Sequence, residues 1–385
     1  MKRISIIVCF VIAYGHGHPQ SLYNEGTLSV GTNTILYVGD SVVNNGTLIN
    51  NGDIQVAGFW QNNATYEPGQ GQLTLTSSQP QVINHNDQSF TRLRIEGGGE
   101  KIFGADIYIE NELVLSDGNL VSSGNSKLVI QENAVITGGS DNSYIDGPIY
   151  HVGNGYKYFP VGKNNLFLPL ELQDVKGTTP TVGVILNIPN PNLKVQNDLV
   201  SVSAEQYWQL DVINGTFTGS IVGLPIRDET FLNSIEEAVV AQAPSLSEPF
   251  ASIGASSRTG NINSGTVVSS IDATEMYLTV GSFVAEPGSK LTVYNAVSPN
   301  DDGLNDFFKI INIDLYPNNE VTIYTRWGDK VFEMQGYDNV DKKFNGLNNV
   351  GKSYLLPEGT YYYVIEKGES DDKSDKVSGF LVLRN

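Results

Sequence analysis

The chain has 385 residues, and its 42 acidic against 23 basic side chains leave a net charge of −19. That acidity argues against nucleic acid and anionic membrane surfaces as partners, and the length exceeds what one core serves, so roughly two to four domains are expected. With 40 Gly and 19 Tyr but only 3 Met, the composition favours strands and turns over helices and predicts an all-β protein.

Lys2 and Arg3 open the chain, Ile4 to Ala13 is mostly apolar, and Ala13-Tyr14-Gly15 offers a small-x-small cleavage site. Residues 1–15 are therefore expected to be a secretory signal peptide, with cleavage as far as residue 20 as the alternative. The run is too short for a membrane span, which needs about 20 apolar residues, and no other stretch is apolar enough to be one. The single cysteine, Cys9, lies inside it. Bulky Val8 argues against a lipoprotein site, and the mature chain is left without a disulfide.

From residue 21 to 140 the sequence repeats loosely. Gly26-Thr27-Leu28 returns as Gly46-Thr47-Leu48, and short apolar units such as Gln72-Leu73-Thr74-Leu75 and Glu112-Leu113-Val114-Leu115 follow, punctuated by Asn-Gly, Asp-Gly and Gly-Gly. A loose period with short strands predicts a right-handed parallel β-helix, because one coil cannot bury its own apolar face but stacked coils can. A jelly roll or irregular sandwich is the competing reading. Asn44, Asn45, Asn50 and Asn51 are placed to form side-chain ladders at the turns.

Residues 141–180, rich in Gly and Pro, break the repeat and are expected to form a junction that caps it. Residues 181–284 predict a β-sandwich with strands at Val182–Ile188, Glu205–Val212, Thr216–Val222, Ala238–Ala241, Thr266–Ser270 and Met276–Val280. Tyr207 and Trp208 would plug its core, and a short helical patch is suggested near Thr230–Val240. Residues 285–290 read as a linker.

In residues 291–385, Val321, Ile323 and Thr325 alternate with Thr322 and Tyr324, and Tyr361, Tyr363 and Ile365 with Tyr362 and Val364. Such runs bounded by Gly, Pro and Asn predict an Ig-like β-sandwich. Its last strand, near Val377 to Arg384, is apolar enough that the chain end should be docked in a sheet. Three tyrosines in sequence must also point to both faces of one strand, so at least one should meet solvent.

Four motifs occur here in order: Val297-Ser298-Pro299-Asn300-Asp301-Asp302-Gly303-Leu304-Asn305-Asp306-Phe307, then Val321 to Arg326-Trp327-Gly328, then Leu356-Pro357-Glu358-Gly359-Thr360-Tyr361, then Gly379 to Arg384. Together they resemble the gliding-motility-associated C-terminal domain, the type B sorting domain of the Bacteroidetes type IX secretion system. The resemblance covers about a quarter of the chain. Two departures stand out: Phe344-Asn345-Gly346 where a tryptophan usually leads, and Asp301 where a turn glycine is usual. The resemblance implies a folded export tag gripped by the secretion translocon. The motif positions are Pro299, Asn300, Gly303, Asn305, Asp306, Arg326, Trp327, Gly328, Pro357, Gly359 and Tyr361.

The acidic loop also offers oxygen donors at alternate positions around Gly303. Ser298, Asn300, Asp302 and Asp306 are candidate Ca²⁺ ligands, although Lys309 stands where a closing bidentate Glu is expected. Asx turns on the backbone are the competing reading.

For catalysis, Asp106, Glu110 and Glu112 are the best-placed acids in the repeat region, with a spacing equally suited to a solvated strand edge. His85 and His151 are isolated, and no His-Glu-x-x-His, Gly-x-Ser-x-Gly or paired-Cys motif occurs. Trp60, Trp208 and Trp327 could stack on sugars but are more simply core residues. Arg326 is placed to stack on an aromatic face.

The expectation is a secreted, non-catalytic protein of the outer surface of a Bacteroidetes-like Gram-negative cell, an adhesin or structural module linked to gliding or attachment. Its partners would be the type IX translocon and surface glycans or other cell-surface proteins. The alternative is a polysaccharide lyase or hydrolase, or a carbohydrate-binding protein, exported by the same route.

Overall fold

The computed structural model describes residues 20–196, 199–283, 291–300, 305–368 and 376–384. The expected signal peptide and the 285–290 linker lie outside the described residues.

The sequence repeat is a physical stack. Thr27 pairs with Thr47 and Leu28 with Leu48, in parallel and in register, so equivalent residues of successive units sit directly over one another. About six turns of β-solenoid result. One face stacks seven strands, from Leu22–Asn24 through Val42–Asn44, Trp60–Asn62, Gln81–Asn84, Lys101–Phe103 and Leu120–Ser122 to Ile145–Asp146. A second stacks Thr27–Val30, Thr47–Asn50 and Thr65–Glu67. The third begins at Ile35–Val38 and runs through Asp53–Val56, Gln72–Leu75, Ser89–Ile95 and Ile107–Leu115. Alternate residues point inward, and Leu48, Ile54, Leu73, Leu93 and Leu113 are wholly buried. The glycine of the repeat answers a steric demand: a Cβ on Gly46 would lie 2.1 Å from the Gly26 carbonyl oxygen of the coil beside it.

Asparagines line the turns as predicted, at partly different positions. Asn24 donates to Asn44 at 2.7 Å, and Asn44 donates to Asn62 at 2.6 Å. The same amides donate to the Thr47 and Thr65 carbonyls. Asn63 donates to Asn45 on the exposed side. Asn50 instead donates to the Tyr66 hydroxyl and the Gln72 carbonyl, because an aromatic residue occupies the neighbouring coil there. Asn51 accepts from the Gln70 amide. Beyond Asn62 the ladder gives way to a packed group of Trp60, Tyr66, His85 and Phe90, in which His85 stacks on Phe90 at 3.6 Å and accepts from the Trp60 indole.

The junction caps the solenoid by extending it. Ile149–Val152 pairs in parallel with Leu128–Ile130 on one side and antiparallel with Thr181–Asn187 on the other. The third face therefore continues without a break into antiparallel strands at Tyr207–Asn214, Tyr277–Ser282, Ala238–Ala243 and Ala251–Ser252. A separate five-stranded sheet contains Gly155–Phe159, Leu170–Val175, Val222–Ile226, Gly265–Val268 and Ser257–Gly260. Leu172, Leu224 and Val267 of this sheet share one hydrophobic core with Val184, Val240 and Val280 of the long one, and that core extends back to Val30. Trp208 is fully buried in it and donates to the Leu168 carbonyl.

Two predicted elements differ. The strand expected at Thr216–Val222 lies at Val222–Ile226, while Gly219 and Ser220 form only isolated bridges. Pro225 is tolerated because pairing with Leu170–Val175 stops at Val222 and Gly223, so no ladder donor is missed on that side. The helical patch near Thr230–Val240 contains only the 3-10 turn Ile235–Glu237, and Ala238–Ala243 is a buried strand. Its β-branched residues and pairing with strands on both sides outweigh helical propensity.

The C-terminal unit has its own core, built from residues including Phe308, Tyr337, Phe344, Ile365 and Leu381. Its main sheet runs in the order Ala296–Val297, Lys376–Leu383, Gly359–Glu366, Glu320–Tyr324, Lys330–Gln335, and Thr292–Val293 pairs with Ile310–Ile311. The final strand thus lies inside the sheet, flanked on both sides.

Candidate functional site

The Arg-Trp-Gly motif forms the tip of the hairpin joining Glu320–Tyr324 to Lys330–Gln335. Gly328, at φ +91°, closes a β-turn by donating its amide to the Thr325 carbonyl at 3.0 Å. The Thr325 hydroxyl accepts from the Trp327 and Asp329 amides, which fixes the turn without the side chains of its two central residues. Those side chains stay outside: Trp327 is 80% exposed, and the Arg326 guanidinium lies 4.9 Å from its ring centroid. Trp60 and Trp208 are fully buried. Of the three tryptophans, then, only Trp327 departs from a core role, and its stacking with Arg326 was legible from adjacency.

The other motif residues serve the frame. Pro299 is half-buried against Gly346, where a Cβ would stand 3.2 Å from the proline ring. Asn305 has φ +57°, and its carbonyl accepts from the Ser298 amide at 2.7 Å, closing the Pro-Asn loop. Pro357 is exposed, and its carbonyl accepts from the Tyr361 hydroxyl at 2.7 Å. Burial pushes the Tyr361 and Tyr363 hydroxyls above the ordinary tyrosine value. Gly359 opens the Gly359–Glu366 strand, in which Tyr361 and Tyr363 point inward and Tyr362 is 49% exposed. Phe344, which replaces the usual tryptophan, is buried beside Phe332 at 5.0 Å. Its ring fills the core in that role.

Of the calcium candidates, Asp302 lies outside the described residues, as does Gly303. Ser298, Asn300 and Asp306 sit at the two described ends of the loop, with Asp306 half-buried. At the closing position the Lys309 ammonium faces the Phe307 ring at 5.4 Å. Its pKa is lowered, first by burial, with Asp272 opposing the change. Among the described residues no group of three or more His, Cys, Asp or Glu side chains could hold a metal ion.

Of the three candidate acids, Glu110 and Glu112 lie on the Ile107–Leu115 strand, with Glu112 half-buried, and Asp106 immediately precedes it. Asp106 accepts from the Lys127 amide at 2.8 Å and ties adjacent coils together, whereas Glu110 is exposed. His85 and His151 are buried, and burial lowers each to about 3.

Cross-strand register reveals a feature that sequence reasoning missed. Tyr324 pairs with Tyr362, and Tyr362 with Phe380, so three aromatic side chains form a row across the outward face of the sheet. Beside Phe380 a cleft of about 550 Å³ is lined by Asn295, Ser298, Asn305, Val382 and Arg384. The period-two pattern of each strand carried part of this signal; which residues lie opposite one another did not.

Among the described residues no helix is long and apolar enough to cross a membrane. No curated protein and no solved structure matches the chain. Residues 291–383 match the family model described as the CHU_C type IX secretion signal domain, and this C-terminal unit is a sorting domain of that kind.

Proposed function

We propose that the chain is a non-catalytic adhesive or structural module of the Bacteroidetes cell surface, delivered there by its sorting domain. The signal-domain match at residues 291–383 carries the reading and supports export by type IX secretion. In this reading residues 1–15 direct passage across the inner membrane, and the Ig-like C-terminal unit is then gripped by the outer-membrane translocon. The solenoid and the sheets that follow it are the cargo. A continuous core from Val30 to Phe283 suits a rigid, elongated display element, and exposed polar side chains of the solenoid such as Asn45 and Asn63 suit contact with glycans or neighbouring proteins.

Deleting residues 291–385 in a host with a working type IX system should leave the cargo in the periplasm. Surface or medium recovery at the full-length yield would falsify the export reading. Incubation with a polysaccharide panel tests the second half of the proposal, with no new reducing or unsaturated ends expected.

A further inference from the structure

The outward face of the sorting-domain sheet combines three properties that solvent-facing sheets ordinarily avoid. It is aromatic: Tyr362 is 49% and Phe380 50% exposed, and they are direct cross-strand partners beside Tyr324. It is continuous, because the next row sets Thr360 opposite Val382 and Val382 opposite Ala296, leading into the cleft along the short Ala296–Val297 edge strand. It is also cationic at its borders. Arg326 stands at the hairpin tip beside exposed Trp327, and Arg384 lines the cleft. Among the described residues neither arginine has an ion-pair partner, whereas Lys330, opposite Tyr324, is paired with Glu333.

No acidic residue occupies the row Lys330, Tyr324, Tyr362, Phe380 or the row Thr360, Val382, Ala296. The acids of this face, Glu333, Glu320 and Glu366, lie in the next two rows on the side away from the cleft, with Glu333 paired to Lys330 and Glu366 to Lys376. Tyr, Trp, Phe and Arg are the residues enriched where proteins bind one another, with the aromatics as anchors. Adjacent strands lie about 4.8 Å apart, so the aromatic row is rigid and its spacing is set by backbone hydrogen bonds rather than by loops.

We infer that this face, from Trp327 through Tyr324, Tyr362 and Phe380 to the cleft at Arg384, is the surface by which the sorting domain docks on the export apparatus. The complementary partner is a protein surface with an apolar centre and an acidic rim. The inference rests on the type IX reading and adds to it the docking face and the chemistry of what it meets.

The test uses the full chain in a type IX-competent host, with four variants: Tyr362→Ser/Phe380→Ser, Arg384→Glu, Tyr156→Ser and the 291–385 deletion. Tyr156 is a cargo tyrosine that is 56% exposed and serves as the control. Loss of two aromatic anchors should lower the surface-exposed fraction about tenfold or more, with folded protein held in the periplasm and Tyr156→Ser exported normally. Arg384→Glu, which changes charge without removing apolar area, should lower export in the same direction. If both sheet variants reach the surface at full yield while the deletion is retained, the docking face is wrong and the export reading survives. If the deletion is exported, the export reading itself fails, and the docking face with it. Sedimentation showing a wild-type dimer that Tyr362→Ser/Phe380→Ser converts to monomer, with export unchanged, would assign the face to a second copy of the chain and overturn the inference.

Discussion

Glu229 is buried, with Ser203 donating to one carboxylate oxygen at 3.0 Å and Gln206 to the other at 2.5 Å. Burial outweighs these bonds and raises it from 4.5 to about 7. A carboxyl whose folded pKa is raised holds its proton longer when folded than when unfolded. Its contribution to stability is therefore full below about pH 4.5 and is lost as pH climbs to about 7. His85 and His151 act in the opposite sense: burial keeps them neutral, so stability falls as pH drops below 6.5. Glu229→Gln removes the first effect and leaves the second. Thermal melts from pH 4.5 to 8 should show the variant gaining stability relative to wild type as pH rises, by about 3 kcal/mol at most. A constant difference between the two curves would mean that Glu229 titrates at the same pH in the folded as in the unfolded chain. None of this was legible in the sequence, where Glu229 is an ordinary acid and only the packed loop above Ser203 and Gln206 removes its water.

At the scale of the element, the asparagine ladder shows how a weak repeat becomes a specific fold. Asn44 donates to the Asn62 side chain and the Thr65 carbonyl, and accepts from the Asn24 side chain and the Gly46 amide. Three of these bonds join one coil to the next and the Gly46 amide closes the turn within its own coil, so slipping the stack by one residue would break the three together. Asn44→Ala should cost about 3 kcal/mol, because several buried partners lose their bonds at once. Asn45→Ala, on the exposed side of the same turn, should stay within about 0.5 kcal/mol. Urea midpoints measured on the full chain would separate them, and equal shifts would deny the ladder its structural role. The asparagine turns were legible because side-chain amides recurring at a repeat's turns have few other uses. Which asparagines align was not, since coil lengths vary: 20 residues separate Asn24 from Asn44, and 18 separate Asn44 from Asn62.

Across the whole molecule, the sorting domain is tied to the cargo by a buried contact. Arg258 of the cargo reaches Asp314 of the C-terminal unit at 3.1 Å, with side chains only 11% and 10% exposed, and also donates to the Ala238 carbonyl. Leu315 packs against both cores. Burial raises Asp314 above the usual carboxylate range, against the pull of Arg258, so removing the arginine strands a buried acid. Arg258→Ala should weaken docking by about 3–5 kcal/mol. Hydrogen exchange should then quicken at residues 253–258 and 313–316 while both cores keep their protection. Unchanged exchange at those two segments would show that the pair contributes nothing to docking. The charges of Arg258 and Asp314 are visible in the sequence, but their partnership spans 56 positions and has no local signature.

The sequence alone determined what local periodicity and ordered motifs can express: an all-β chain, a stacked repeat at its start, a terminal strand within a sheet, and an export tag in the last quarter. Those features depend on neighbours in sequence and on spacing, and one chain contains both. Only the tertiary structure decided which strands lie opposite one another, that one sheet runs through the solenoid into the antiparallel strands, and that Tyr324, Tyr362 and Phe380 share a row. Register is a relation between distant segments, fixed by which pairing buries the most apolar surface and satisfies the most backbone groups at once, and no single segment carries that information.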